Sequence, residues 1–186
     1  MRISFTGPQC SGKSTLLALC KEYYGDRFRY IEEITRPIAR KGFKINEQGD
    51  DETQLQILKA HELNSELNNV IMDRCIIDGA LYTAYLFKRN KVTGEVLGKA
   101  IKRYYRLISK LDIIFFTEPV KMVDDGVRST GDEFRQSMIE AFNKQRVGLE
   151  QGFCKEFNGK IVYLKGSVEN RFEDIKIAIE EYEHVR

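Results

Sequence analysis

Short apolar runs alternate along this chain with longer stretches in which apolar residues recur every three or four positions. The runs are Arg2–Thr6, Phe28–Ile31, Val70–Asp73, Asp112–Thr117 and Lys160–Leu164. Their mostly unbroken apolar character predicts strands covered on both faces rather than half-exposed ones. The helical spacing is carried by Leu16, Leu17, Cys20 and Tyr24 in Lys13–Tyr24, and by Leu55, Leu58 and Leu67 in a helix over 53–69. Acidic Asp50-Asp51-Glu52 just upstream favours that second N-terminus. Asp78 is placed to cap a helix with Leu81, Tyr82, Tyr85 and Leu86, the two tyrosines reading as core. Residues 90–98 read as a turn-rich connection, and helix resumes over 101–111 with Ile101, Tyr104, Tyr105 and Ile108. Asp132 opens a long helix with Phe134, Met138, Ile139 and Phe142, and Ser167 caps the last one. The alternation predicts an α/β fold: five strands joined by right-handed crossovers into a mostly parallel sheet with helices on both faces. With no internal repeat or low-complexity linker, one domain is expected over residues 1–186.

Between the first strand and the first helix lies Gly7-Pro8-Gln9-Cys10-Ser11-Gly12-Lys13-Ser14-Thr15, a full G-x-x-x-x-G-K-[ST] match in strand-to-helix context. Glycines let the backbone curl so that successive N–H groups form an anion nest, and the helix N-terminus adds partial positive charge. Lys13 is placed to reach β- and γ-phosphates, and the Ser14 hydroxyl to ligate Mg²⁺. Cys10 lies inside this loop and is a candidate point of oxidation sensitivity. A GTPase switch lacks its expected parts: no glycine has an Asp three residues before it, and neither Asn90-Lys91-Val92-Thr93 nor Asn143-Lys144-Gln145-Arg146 supplies an Asn-Lys-x-Asp base reader. The length leaves little room for the lever or ring interface of a mechanochemical ATPase.

Val70-Ile71-Met72-Asp73-Arg74 is an apolar strand ending in acid and base. Strand C-termini of an open parallel sheet point into the ligand crevice, which puts Asp73 near the phosphate loop. There it holds Mg²⁺ or takes a proton from an attacking hydroxyl, and Arg74 grips an acceptor. Glu32-Glu33-Ile34-Thr35-Arg36 follows the second strand at the same crevice. Glu32 reads as a charged first helical turn; Glu33 and Arg36 either belong to that turn or hold a sugar hydroxyl or base edge. Residues 118–131 are bracketed by Pro119 and by Gly126 and Gly131, which suits a lid. Its Arg128, with Arg135 second, is the candidate to neutralise charge on a transferring phosphoryl group.

Composition narrows the partners. Lys and Arg total 30 and Asp and Glu 28, a net charge of +2, too balanced to indicate a nucleic-acid protein. Lys99, Lys102, Arg103, Arg106 and Lys110 do form one cationic helix face, read first as solvated. No apolar run reaches the roughly 18 residues of a membrane span, and the N-terminus has no signal-peptide pattern, so a cytoplasmic protein is expected. Four cysteines without CxxC pairing are expected as free thiols. His61-Glu62 begins like a zincin motif, but Ser65 stands where the second His belongs, so no zinc site is expected.

Taken in order, Gly7–Thr15, Glu33-Ile34-Thr35-Arg36, Met72-Asp73-Arg74-Cys75-Ile76-Ile77-Asp78 running into Tyr82 and Tyr85, and Asp125-Gly126-Val127-Arg128-Ser129-Thr130 resemble the small P-loop kinases of the NadR-like group. These are relatives of nicotinamide riboside kinase and of nucleoside and nucleotide kinases. The resemblance implies a three-layer P-loop NTPase fold. It implies transfer of the γ-phosphoryl group of Mg²⁺–ATP to a hydroxyl or phosphate of a nucleoside, nucleotide or nucleoside-like acceptor. On that reading Lys13 and Ser14 hold phosphates and metal, Asp73 is the strand-end acid, Arg128 is the lid arginine, and Glu33 and Arg36 face the acceptor. The alternatives are a kinase acting on a hydroxymethyl group of a modified base in DNA, which needs a basic groove, and a nucleotide-binding regulator that transfers nothing.

Overall fold

The computed structural model describes residues 1–120 and 132–184. All five expected strands form: β1 Arg2–Thr6, β2 Arg29–Ile31, β3 Val70–Asp73, β4 Ile113–Thr117 and β5 Lys160–Leu164. They pair in the order β2-β3-β1-β4-β5, parallel throughout. The register places Phe5 opposite Asp73 on one side and Phe115 on the other, so the chain leaves β1 into its glycine turn with an acidic strand end beside it.

Alternation along each strand divides the core. Ile3, Phe5, Ile71, Ile113 and Phe115 face α1 (Lys13–Tyr24) and α7 (Val168–His184), which contribute Leu16, Leu17, Cys20, Ile175 and Ile179. Val70, Met72, Ile114 and Phe116 face the opposite layer, which contains α4 (Ile76–Lys88), α5 (Gly94–Ile108) and α6 (Asp132–Glu150). That layer contributes Ile77, Ile108, Phe134, Met138 and Phe142, and Tyr82 and Tyr85 pack edge-on against Phe134. The two sides give the expected three layers.

Four helix boundaries differ from expectation. Residues 35–40 form a short helix, α2 (Thr35–Arg40), that the charged Glu32–Arg36 stretch only hinted at. α3 spans Asp51–Asn64 and stops short of Leu67, with Asp50 as its cap, accepting the Thr53 N–H at 3.0 Å. Asp78 does not precede its helix but sits inside the first turn of α4, where its carboxylate accepts the Cys75 N–H at 3.0 Å. Residues 94–98, expected as turn, begin α5: Thr93 caps it and is itself tied to Asp51 by two hydrogen bonds of 2.7 and 2.9 Å. Ser167 caps α7 as expected, accepting the Asn170 N–H at 3.2 Å.

The cationic face of α5 is not an open groove. Arg103 and Arg106 both pair with Glu62, Lys110 with Glu66, and Lys99 with Glu95, so most of its charge joins α5 to α3 or is answered along α5 itself. All four cysteines are free and buried. Among the described residues no helix is long and apolar enough to cross a membrane.

Candidate active site

The turn after β1 is fixed by the strand beside it. Gly7 has φ +146, and a Cβ there would lie 2.5 Å from the Thr117 hydroxyl and 2.9 Å from the Thr117 carbonyl oxygen, so only glycine passes the end of β4. Ser11 closes the turn: its hydroxyl donates to the Pro8 carbonyl at 2.9 Å and lies 2.6 Å from that of Thr117. The Val120 N–H donates to the Cys10 carbonyl at 2.8 Å.

Lys13 is buried and folded back on the loop. Its ammonium donates to the carbonyls of Gly7 (3.1 Å) and Pro8 (2.7 Å) and to the Ser11 hydroxyl (2.9 Å), one acceptor for each of its three protons. Burial, and then the charge of Arg74, pull its pKa down to about 8, although Asp73, Asp78 and Glu33 oppose the shift. Next along, Ser14 donates to Asp73 Oδ2 at 2.6 Å. Asp73 Oδ1 is buried with no hydrogen-bond partner. Burial raises the Asp73 pKa against the pull of Lys13, Arg74 and Ser14.

Arg74 organises the acidic side. It is a non-glycine residue at φ +81, a strained conformation held by its side-chain bonds: Nε donates to Glu33 Oε1 at 2.9 Å and Nη1 to Asp78 Oδ1 at 3.1 Å. Asp78 also accepts from the Thr6 hydroxyl at 2.8 Å, tying β1 to α4. Glu33 accepts the Thr35 hydroxyl at 2.8 Å and lies 3.6 Å from Arg36 Nε. Burial pushes the Glu33 carboxyl up, but Arg74, Thr35 and Lys13 outweigh it and bring its pKa to about 2.

This shift predicts an acid transition. A carboxylate whose pKa falls from 4.5 unfolded to about 2 folded contributes stability in full above pH 4.5 and loses it as pH drops toward 2. The difference corresponds to about 3 kcal/mol at neutral pH. Glu33→Gln therefore lowers the melting temperature at pH 7 and has little effect near pH 2; equal losses at both would show that Glu33 is not held ionised by Arg74.

Glu33 and Arg74 form a partition between two cavities. On one side, a cavity of about 190 Å³ is lined by residues 10–15, Asp73 and Val120. On the other, a tight space of about 20 Å³, room for roughly one water, lies against α3 and α4 and is lined by Gln54, Ile57, His61, Asp78, Gly79 and Tyr82. Gly79 makes room for the His61 ring, since a Cβ there would lie 3.0 Å from His61 Cδ2. His61 is 4% exposed, and burial and Arg74 lower its pKa to about 3, so it is neutral. Beside it the Tyr82 hydroxyl is buried with no hydrogen-bond partner, its ring facing the Arg74 guanidinium. A buried hydroxyl without a partner at the edge of a cavity is a group that a bound polar ligand would satisfy. A larger cavity, about 600 Å³, lies between α4, α5 and α6, away from this chemistry.

Sequence reasoning placed Lys13, Ser14, Glu33, Asp73 and Arg74 at one site, and the structure brings these five together. Arg36 lines an adjacent open cleft of about 580 Å³ with Ser14, Glu33 and Asp73. Arg128 and most of the lid expected at 118–131 lie outside the described residues. His61, Gln54 and Asp78 were missed as site residues, because nothing in their local sequence shows that α3 and α4 meet at the strand end.

A family model described as an AAA domain matches residues 2–171. No curated protein sequence matches the chain. Among solved structures it is similar to deoxyadenosine kinase from M. mycoides with bound dCTP, at 19% identity and TM-score 0.69, covering 97% of this chain and 100% of that one. It is similar to a NadR protein in complex with NAD and AMP-PNP, at 18% identity and TM-score 0.69, covering 99% of this chain but 49% of that longer one. Thymidylate kinase from Candida albicans matches at 18% identity and TM-score 0.58, over 97% and 91% of the two chains. The fold is that of the small P-loop kinases, NadR among them.

Proposed function

Since the chain belongs to the AAA domain family and has a small P-loop kinase fold, we propose that it transfers the γ-phosphoryl group of ATP to a hydroxyl of a nucleoside or nucleoside-like acceptor. The observation that carries this reading is the partition: phosphate loop on one side, neutral His61 and the unpartnered Tyr82 hydroxyl on the other, with Glu33 and Arg74 between.

The donor triphosphate occupies the cavity at residues 10–15, where Lys13 exchanges its loop carbonyls for phosphate oxygens. The orphaned Asp73 Oδ1 beside the Ser14 hydroxyl fits an absent cation, so Ser14 and Asp73 are the residues that would hold Mg²⁺. When bound, the metal screens phosphate charge during transfer. With Asp73 engaged there, Glu33 is left to accept a hydrogen bond from the acceptor hydroxyl. At a pKa of about 2 it orients that hydroxyl more than it withdraws the proton. Arg74 holds Glu33 in place.

The acceptor ring takes the α3–α4 cavity, reading polar edges with neutral His61, Gln54 and Tyr82. At about 20 Å³ that cavity must widen, and its outer wall is suited to yield: between Glu32 and Asp50 only Gly49 is buried. DNA is disfavoured as acceptor because four of the five α5 cations are paired with glutamates. The NadR and deoxyadenosine kinase likenesses support nucleoside-type acceptors without choosing among them.

The test is a panel of nucleosides, nucleotides and short DNA assayed with labelled ATP and Mg²⁺. Label appearing on a nucleoside is the expected result. Label on DNA alone overturns the acceptor assignment, and slow ATP hydrolysis that no acceptor accelerates points to the regulator.

A further inference from the structure

Arg171 stands in the first turn of α7, 160 residues from the phosphate loop it touches. It is 3% exposed. Its Nη1 donates to the carbonyls of Ser11 at 3.1 Å and Glu118 at 3.2 Å, and its Nε to that of Gly166 at 2.9 Å. Its Nη2 lies 3.5 Å from Glu118 Oε2, on a side chain that is 40% exposed. A Cβ built on Gly12 would sit 3.9 Å from Nη1, so the guanidinium lies directly against the loop backbone.

This is an expensive place for a cation. The first turn of a helix presents its positive end, and that of α1 begins at Lys13, next to the same loop. Most of the partners of Arg171 are neutral carbonyls, which call for N–H donors rather than for a charge. A tie between α7 and the loop therefore does not need the charge, whereas an anion held on the loop does. The Ser11 carbonyl matters for the same reason. A phosphate nest works when N–H groups face the anion and carbonyls face away, and Arg171 pins this carbonyl on the α7 side.

We infer that Arg171 is a positioning residue for the donor triphosphate: it holds the Ser11 carbonyl away from the anion, frees the following N–H groups for phosphate, and adds positive charge from beneath the loop. This rests on the triphosphate site proposed above, though not on phosphoryl transfer or on any acceptor.

The experiment measures Mg²⁺–ATP affinity by calorimetry and the unliganded melting temperature for the wild type, Arg171→Gln and Arg171→Lys. Where transfer is detectable, KM is measured for ATP and for the acceptor. Arg171→Gln is expected to weaken ATP binding about 10- to 100-fold, the size of a lost charge-assisted hydrogen bond. KM for ATP rises with it, while KM for the acceptor stays near wild type and the unliganded melting temperature falls only modestly, as the two amide N–H groups replace part of three carbonyl bonds. Arg171→Lys keeps the charge but loses the fork, and is expected to recover only part of the affinity. Wild-type affinity in Arg171→Gln, or a lower melting temperature with affinity unchanged, overturns the inference. If Arg171→Gln does not fold, wild-type affinity in Arg171→Lys overturns it as well. A wild type that binds Mg²⁺–ATP but phosphorylates nothing sinks the kinase reading and leaves this inference standing; one that binds no ATP defeats both.

Discussion

Replacing Lys13 by alanine will lower phosphoryl transfer by on the order of 10³-fold and leave the unliganded fold in place. The first half follows from where the ammonium sits. It is a buried cation in the cavity of the phosphate loop, and on the proposed reading it exchanges three neutral loop oxygens for charged phosphate oxygens. The second half follows from its depressed pKa. With a folded value of about 8 against an ordinary 10.5, the ligand-free protein spends about 3 kcal/mol keeping this group charged at neutral pH. That penalty is present in full below pH 8 and fades as pH rises toward 10.5, because there the folded state has already released the proton that the unfolded chain still binds. The alanine variant escapes it but also gives up the ammonium's bonds to the loop and its attraction for Asp73 and Glu33, so its melting temperature at pH 7 stays near wild type. The same pKa makes ATP binding by the wild type weaken as pH climbs past about 8. Calorimetry and thermal melts across pH 6–10 check both. An alanine variant that transfers phosphate at the wild-type rate would remove Lys13 from the site.

The strands and the phosphate loop were legible in the sequence because their signals are local. Five apolar runs and one glycine-bounded turn leave a parallel sheet little freedom, and the observed strand limits differ from expectation by at most one residue. The helix misreadings have local causes too. Gly94 and Gly98 made the start of α5 look like turn, but Gly94 is accommodated as the first residue behind a Thr93 cap that Asp51 holds from α3. Leu67 fitted helical spacing, yet α3 ends at Asn64, and a turn carries the chain into β3. Asp78 was read as a cap because it precedes the apolar spacing; in fact Cys75 is the cap and Asp78 the third helical residue. Of the site, the residues at strand ends were legible, since topology alone sends Glu33, Asp73 and Arg74 to one crevice. His61 and Arg171 were not, because their roles arise from contacts between α3 and α4 and between α7 and the loop, which no window of sequence contains. The near-miss was His61: weighed as a zinc ligand and dismissed, it is instead a buried, neutral ring lining the small cavity between α3 and α4.

Asp73→Asn will lower Mg²⁺-dependent transfer by about 10²- to 10³-fold without destabilising the protein, and will act through the metal rather than the acceptor. The asparagine side chain keeps an oxygen for the Ser14 hydroxyl now held at 2.6 Å, so the loop stays closed. What it loses is the negative charge and the free acceptor at Oδ1, and it sets an amide N–H₂ in one of those positions. A hard divalent cation prefers anionic oxygen, so the Mg²⁺ requirement of the variant shifts to higher concentration. Stability moves the other way. Burial raises the Asp73 pKa, which means the ionised carboxylate carries a cost in the folded protein at neutral pH that the neutral amide does not. A Mg²⁺ titration of rate, with KM for the acceptor measured at saturating metal, separates the two roles that strand-end acids perform. If Asp73→Asn leaves the metal requirement unchanged and instead raises KM for the acceptor, Asp73 serves the hydroxyl. The division of labour between it and Glu33 then reverses.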